Sequence, residues 1–291
     1  PAIVLKWQKN APLLLWVLDL WPESVAAAGP IRSSAILALI SRMVRFIYRH
    51  CDRILVQSRS FIPQVASMGA PQGKIRYFPS WAESIFTTTP REPRNALPPL
   101  PTGFRVMFAG NIGAAQDFDN VLTAAEILKP HHDIHWIVLG EGRMLQHVKS
   151  RVHSNGLADN MHLLGSFPLE TMPTFFHQAD VMLVTLRRDP IFALTIPAKI
   201  QSYLACGRPI VAMLDGEGAR IVTEAGAGRA GPAEDPRALA ENILALYYMG
   251  EAARIRMGQS AREYYEQHFG RDRLIGELEG WFREASADRR A

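Results

Sequence analysis

The stretch FRVMFAGNIGAAQDFDNVLTAAEILK, residues 104–129, decides the reading of the chain. FRVMFAG (104–110) is a buried-strand run, apolar but for Arg105, DNVLTAAEILK (119–129) repeats its apolar residues at helical spacing, and GNIG (110–113) joins the two. Strand, glycine turn and helix in that order make a βα unit of a parallel α/β domain. Two readings of the glycines stay open. A tight βα turn can demand a positive φ. Alternatively, glycines let backbone N–H groups approach a phosphate while the helix terminus lends partial positive charge.

Working outward, buried-strand runs recur at HWIVLGE (135–141), MHLLGS (161–166), DVMLVTL (180–186) and RPIVAML (208–214), with helical segments such as PRALAENILALYY (236–248) in the gaps. Toward the start, LLLWVLDL (13–20), RILVQS (53–58) and IRYFPSW (75–81) are strand-like, separated by helical patterns near 31–50 and 59–69. Strands alternating with helices of this length predict right-handed βαβ units and parallel sheets covered on both faces. Both parts therefore read as α/β. Pro90, Pro93, Pro98, Pro99 and Pro101 punctuate a stretch without periodicity, which reads as a linker over 90–102. Residues 103–270 have the length of one doubly wound domain. Residues 1–89 have half of it, and read as the last three strands of a similar domain whose opening strands lie before Pro1. Two helices, 251–269 and 272–285, close the chain, with Gly270 as C-cap and hinge.

Composition excludes several classes. The 291 residues are 48% hydrophobic and 21% charged, so the chain folds rather than remaining disordered. The apolar stretch from Ala11 to Leu20 contains Pro12 and Asp19 and is far short of the roughly 20 residues that span a bilayer. Cys51 and Cys206 are the only cysteines, which argues against a disulfide scaffold and a Cys-based zinc site and makes a cytoplasmic setting the default.

Charge is uneven: up to Thr89 there are 10 Lys or Arg against 4 Asp or Glu, and from Pro90 onward 22 against 24. No RNA-binding strand motif, zinc finger or aromatic-interleaved basic stripe accompanies the basic third, so nucleic acid is not the expected partner. An anionic membrane surface fits better. Within 31–50, Ile36, Leu39, Ile40, Met43 and Ile47 recur at helical spacing while Arg42, Arg45 and Arg49 share another face. Such a helix either lies on an anionic bilayer or packs on a core with a wet basic face.

Candidate binding groups gather at strand ends, where open parallel sheets bind ligands. These are the loops GNIG, GEGR (140–143), GSFP (165–168), LRRDPIFALT (186–195) and LDGEGA (214–219). GEGR lacks the third glycine of the dinucleotide fingerprint. In TIPAKIQSYLACGRPI (195–210), Lys199 falls in the first turn of a helix, followed by Ser202 and Tyr203. A cation there is disfavoured by about 0.3–1 kcal/mol, so an anionic partner would resolve the placement; a solvated lysine is the other reading. Arg143, Arg187 and Arg188 could also meet phosphates. DFD (117–119) matches a metal-binding Asp-x-Asp pattern, but Asp117 stands where an N-cap belongs. HHDIH (131–135) lacks carboxylate partners for a metal, and no GxSxG elbow supports hydrolase chemistry.

LWVLDLWPES (15–24), IRYFPSWAESIF (75–86), MFAGNIGAAQDFDNVLTAAEILK (107–129), IVLGEGRMLQHV (137–148), LLGSFPLETMPTFFHQADVMLVTL (163–186) and TIPAKIQSYLACGRPIVA (195–212), in this order and spacing, resemble one group over nearly the whole chain. That group is the bacterial family-four glycosyltransferases of the GT-B fold that build O-antigen, colanic-acid and capsular polysaccharides. The resemblance implies two Rossmann-like domains, here with an incomplete acceptor-side domain at 1–89, a nucleotide-sugar domain at 103–270, and a terminal helix, 271–291, crossing back to the first. It implies a retaining, metal-independent hexosyltransferase without cofactor, moving a sugar, an N-acetylated hexose, from a UDP-sugar to a polyprenyl-linked saccharide, in the cytoplasm and peripheral at the inner membrane.

Carried over by position, Gly110, Asn111, Ile112 and Gly113 would contact diphosphate and sugar. Gly140, Gly142 and Phe167 of the 165–168 loop would border the base, Lys199 would face the phosphates, and Asp19 would be the catalytic-side residue lining the cleft. Where many members of the family carry two glutamates, this chain has Leu194 and Ser202. The Arg and Lys pair around the first glycine loop is also missing. The resemblance then leaves donor anchoring to Glu217 and Arg187, with Ser202 at the ribose position. The first glycine loop of the acceptor domain would precede Pro1, which predicts a chain inactive by itself. Two other readings stand beside this one: a nucleotide-sugar 2-epimerase, distinguished by deuterium incorporation at C2 in heavy water, and a non-catalytic nucleotide-binding fragment.

Overall fold

The computed structural model describes residues 1–28, 33–88 and 97–288, and the chain divides into two compact units. The larger comprises Trp81–Arg188 and Pro197–His268, the smaller Pro1–Ser80, Asp189–Ile196 and Phe269–Ala291. The division falls at Ser80, ahead of the proline-rich stretch; Pro90 and Pro93 lie outside the described residues.

The smaller unit runs α1 (Ala2–Gln8), β1 (Leu14–Val17), α2 (Glu23–Ala28), α3 (Ser34–His50), β2 (Arg53–Val56), α4 (Phe61–Ser67) and β3 (Ile75–Tyr77). Its three strands pair in parallel in the order β1-β2-β3, as their apolar runs predict. Ile54, Val56, Phe61 and Val65 are fully or almost fully buried at its centre. Asp52 ties its start together, accepting from the Lys6 ammonium at 2.8 Å and from the Leu13 amide at 2.7 Å.

The larger unit runs β4 (Phe104–Ala109), α5 (Phe118–Leu128), β5 (Ile134–Leu139), α6 (Leu145–Ser154), β6 (Met161–Gly165), α7 (Met172–Gln178) and β7 (Val181–Thr185). The chain then leaves it for α8 (Pro190–Leu194), and returns in α9 (Ala198–Ala205), β8 (Ile210–Met213), α10 (Glu217–Glu224), β9 (Gly228–Gly231), α11 (Pro236–Tyr248) and α12 (Glu251–Phe269). Its six strands are all parallel, in the order β6-β5-β4-β7-β8-β9. Helices on both faces bury the central strands from both sides, which is why β4, β5, β7 and β8 read as apolar runs rather than alternating ones, broken in β4 only by Arg105 and in β5 only by His135, each near the strand's start. Phe108, Ile112, Leu122 and Trp136 anchor one face.

One strand goes beyond the sequence reading, and two expectations change. β9 has the sequence GRAG and no apolar pattern; a side chain on Gly228 would overlap the Ile210 carbonyl, so the edge pairs closely only because glycine stands there. LRRDPIFALT does not stay at the rim of the larger unit: Asp189 caps α8 by accepting from the Ile191 amide at 2.8 Å, and Ile191 joins the smaller unit's core, with Phe192 and Leu194 against it. Leu194, at one missing-glutamate position, is thus a packing residue. Gly270 separates α12 from α13 (Arg271–Ala287) with φ −59° and ψ 122°, an ordinary N-cap conformation and not a left-handed C-cap. In α13, Trp281 meets Phe78 edge-on at 5.7 Å.

Both cysteines are free and buried, and burial pushes Cys51 up to about 11 and Cys206 to about 12. Neither thiol is reactive at neutral pH. Among the described residues no helix is long and apolar enough to cross a membrane.

Candidate functional site

The strand order of the larger unit reverses between β4 and β7. Connections leave these neighbours in opposite directions, opening a crevice outside their carboxyl ends. GNIG follows β4 and Leu186–Arg188 follow β7, so sequence position and topology converge there. Two bonds hold the loops together: the Thr185 hydroxyl donates to the Gln116 carbonyl at 2.6 Å, and the Arg187 amide to that of Ala115 at 2.9 Å.

The glycines serve loop packing first. The Gly110 amide donates to Leu139 at 2.8 Å and that of Ile112 to Glu141 at 2.7 Å, stitching GNIG to GEGR. Gly140 has φ 135°, and a Cβ on it would overlap the Gly110 carbonyl; one on Gly142 would overlap that of Ile112. Gly113 donates to the Gln116 side-chain oxygen at 3.1 Å. The expectation that all four GNIG residues present themselves to a ligand is therefore corrected. Ile112 is fully buried in the core and Gly113 is buried beside it, and their amides and that of Gly110 are already committed within the unit. Gly110 and Asn111 remain exposed.

Lys199 is the group the fold sets apart. It is the second residue of α9, and its Nζ lies 3.9 Å from the centre of the Phe108 ring, a cation–π contact. Its aliphatic end runs over Gly110: a Cβ built there would come within 2.6 Å of Cε. Tyr203, one turn further along α9, fixes this geometry. Its buried hydroxyl donates to the Ala109 carbonyl at 3.3 Å and accepts from the Ala109 amide at 3.2 Å, clamping α9 to the last residue of β4. Among the described residues no carboxylate pairs with Lys199, and desolvation brings its ammonium down from 10.5 to about 8. It remains mostly protonated at neutral pH.

The other sequence-derived residues are more occupied. The Glu217 carboxylate is 5% exposed and clasped by Arg220, at 2.8 and 3.1 Å, which also pairs with Glu224. Arg187 is exposed and 3.9 Å from Glu234; Arg188 donates to Asp215 at 3.3 Å and to the Ala233 carbonyl at 2.7 Å. Sequence reasoning missed Asp215 and Glu234, which anchor these arginines. The Ser202 hydroxyl donates back to Ala198 at 3.3 Å. Phe167 packs on Phe175 with ring centres 4.7 Å apart. A depression of about 580 Å³ lies one strand further along the rim, between Leu214–Gly216, α10 and the end of β9. In the smaller unit, Asp19 is exposed, two residues beyond the end of β1.

The discounted motifs have local partners. Asp117 stands at the N-cap of α5, in a left-handed conformation, but its carboxylate accepts from the Asn120 side chain at 2.8 Å and makes no capping bond to the backbone. Burial raises its pKa. Asp119 pairs with His147 at 2.7 Å and Arg151 at 3.3 Å. Among the described residues no group of three or more His, Cys, Asp or Glu is arranged to hold a metal ion.

Comparison with known proteins fits this geometry. The family described as Glycosyl transferases group 1 matches residues 103–248, just over half of the chain and most of the larger unit. A Pseudomonas aeruginosa protein described as a probable glycosyltransferase, WbjE, is 30% identical over 274 residues, 90% of this chain and 66% of that one. Escherichia coli (strain K12) WcaI, named for colanic acid biosynthesis glycosyl transfer, is 26% identical over 186 residues, 62% of this chain and 45% of that one. The chain thus spans two thirds or less of the length of these relatives. Among solved structures, Anabaena Alr3699/HepE in complex with UDP aligns with a TM-score of 0.76 at 14% identity, covering 97% of this chain and 75% of that one, which shows the fold as GT-B with two parallel-sheet α/β units. On its match through most of the larger unit, this chain belongs to the glycosyl transferases group 1 family.

Proposed function

We propose that the chain transfers a sugar, an N-acetylated hexose, from a UDP-sugar to a polyprenyl-linked saccharide during surface polysaccharide assembly, at the cytoplasmic face of the inner membrane. One observation carries the donor half of this reading: the Lys199 ammonium, without a carboxylate partner among the described residues, beside Gly110 at the strand-order reversal. The UDP in the HepE complex and the colanic acid biosynthesis named for the Escherichia coli relative support it.

The chemistry follows from charge. As the bond from the anomeric carbon to the diphosphate breaks, negative charge grows on the leaving oxygen, and an ammonium in a partly desolvated crevice stabilises it more than one in bulk water would. The N-terminal amides of α9 add to this field. Asn111, exposed next to Gly110, adds a neutral side chain that can hydrogen-bond a phosphate or sugar hydroxyl. With these groups carrying the leaving-group charge, transfer proceeds without a bound metal; retention at the anomeric carbon requires in addition that the acceptor hydroxyl attack from the face the diphosphate leaves.

Calorimetric titration with UDP tests the donor site. Lys199→Ala is expected to weaken binding at least about tenfold, the scale of one charge-assisted contact, without lowering Tm. Equal affinity in both proteins removes Lys199 from the site. Nuclear magnetic resonance of the product's anomeric proton then reads retention, and a saccharide on a short polyprenyl diphosphate tests the acceptor class.

A further inference from the structure

α3 carries two apolar faces, and the core uses one of them. Val44 and Tyr48 are buried, and Ile40 and Ile47 pack against the smaller unit's core. The apolar residues read from the sequence as a single face therefore divide, with Ile40 and Ile47 turned inward. Ile36, Leu39, Met43 and Phe46 turn outward, 46%, 67%, 45% and 51% exposed. Their spacing of three, four and three residues sets them in one stripe about 80° wide and roughly 15 Å long. The stripe continues onto α1, where Trp7 is 61% exposed and meets the His50 ring edge-on at 5.9 Å, itself 4.3 Å from Phe46.

Single exposed apolar side chains need no explanation, but an aligned stripe on one helix, joined by a tryptophan, does. Its charge surroundings identify what covers it. Arg42, Arg45 and Arg49 are exposed along the flank of the stripe, and α3 contains no acidic residue. Among the described residues none of these three arginines forms an ion pair. A protein partner would need a carboxylate-lined apolar groove to match, whereas a layer of acyl chains beneath lipid phosphates offers both chemistries in the same vertical order. Long arginine stems let the guanidinium groups rise to the phosphates while the apolar residues sink.

We infer that the outer face of α3 lies in the interface of an anionic phospholipid bilayer, with Ile36, Leu39, Met43 and Phe46 at the acyl boundary and Arg42, Arg45 and Arg49 on lipid phosphates. This supplies the surface for the lipid-linked acceptor reading, and rests on that reading only for its purpose.

Co-sedimentation with vesicles tests it directly. The protein is expected to pellet with vesicles of equal parts phosphatidylglycerol and phosphatidylcholine, and at least about tenfold less with phosphatidylcholine alone, the scale of several lysine or arginine contacts. Leu39→Glu with Phe46→Glu should reduce pelleting to background while leaving Tm and UDP affinity unchanged. Each of Arg42→Gln, Arg45→Gln and Arg49→Gln should weaken it about fivefold at low salt. Absence of pelleting with anionic vesicles, equal pelleting with both kinds, or unchanged pelleting by the double variant would each overturn the inference. So would a dimer in sedimentation velocity that the double variant converts to monomer, since the stripe would then be a self-interface. The vesicles hold neither donor nor saccharide and the UDP titration holds no lipid, so failure of one reading is separable from failure of the other.

Discussion

Burial of Lys199 disfavours its charged form, a cost that the cation–π contact with Phe108 offsets only in part. A lysine with a lowered folded pKa destabilises the fold while it must stay protonated. The unfolded chain binds the proton more tightly between about pH 8 and 10.5, so this contribution to stability rises with pH across that window. Buried Cys51 and Cys206 act in the opposite direction above about pH 9, where the unfolded thiols ionise. The difference between Lys199→Met and the parent isolates the lysine. The variant should have the higher Tm at pH 7, with the gap narrowing as pH rises from 8 to 10.5; a constant gap in thermal melts across that range would contradict the assignment. UDP affinity of the parent should also fall as pH passes through about 8, and that dependence should vanish in the variant. The glycines separate two roles. Gly140→Ala drives a methyl group into the Gly110 carbonyl and should cost more than about 3 kcal/mol in denaturant unfolding. Gly110→Ala, also at a positive φ of 137°, meets only the flexible end of Lys199 and should cost roughly 1–2 kcal/mol, yet weaken UDP binding by displacing that side chain.

At the scale of elements, β9 shows how little sequence pattern an edge strand needs. Its place is set by backbone bonds: the Ile210 amide donates to Ala227 at 2.9 Å and that of Leu214 to Gly231 at 3.2 Å. Gly228→Val would overlap the Ile210 carbonyl and is expected to detach the strand, at a cost upwards of about 2 kcal/mol. Amide hydrogen exchange at Ile210 and Leu214 should then accelerate while β4 and β5 stay protected; uniform exchange behaviour would count against this. The strands and longer helices were legible because each is a local apolar pattern. β9 was not, since glycine has no side chain to show a face. α8 was missed for a different reason: five residues after a capping Asp189 are too few to establish a period. α3 was legible as amphipathic, but a single periodicity could not say that its apolar arc is shared between the core and the exterior.

Considered as a whole molecule, the smaller unit is assembled from three separate parts of the chain. Its last part, α13, brings Trp281 to Phe78 and places Asp288 2.9 Å from the Arg53 guanidinium. Removing residues 270–291 should therefore loosen the smaller unit selectively: limited proteolysis should cut within 1–80 and 189–196 while the six-stranded sheet survives as a resistant fragment. Equal susceptibility of both units would show that α13 is not part of that core. The α/β class, the alternation of strands and helices, the glycine loops and the lysine that follows β7 were all legible in the amino-acid sequence, because burial on a strand or helix imprints a period on nearby residues and turn glycines punctuate it. Packing in three dimensions settled the rest: the Gly110, Ile112 and Gly113 amides are committed within the larger unit, residues 189–196 leave one unit for the other, and the Lys199 ammonium sits on an aromatic ring with no carboxylate paired to it among the described residues. Those outcomes depend on which distant groups arrive beside a residue and how much water they displace, and neither is written in the local order of the chain.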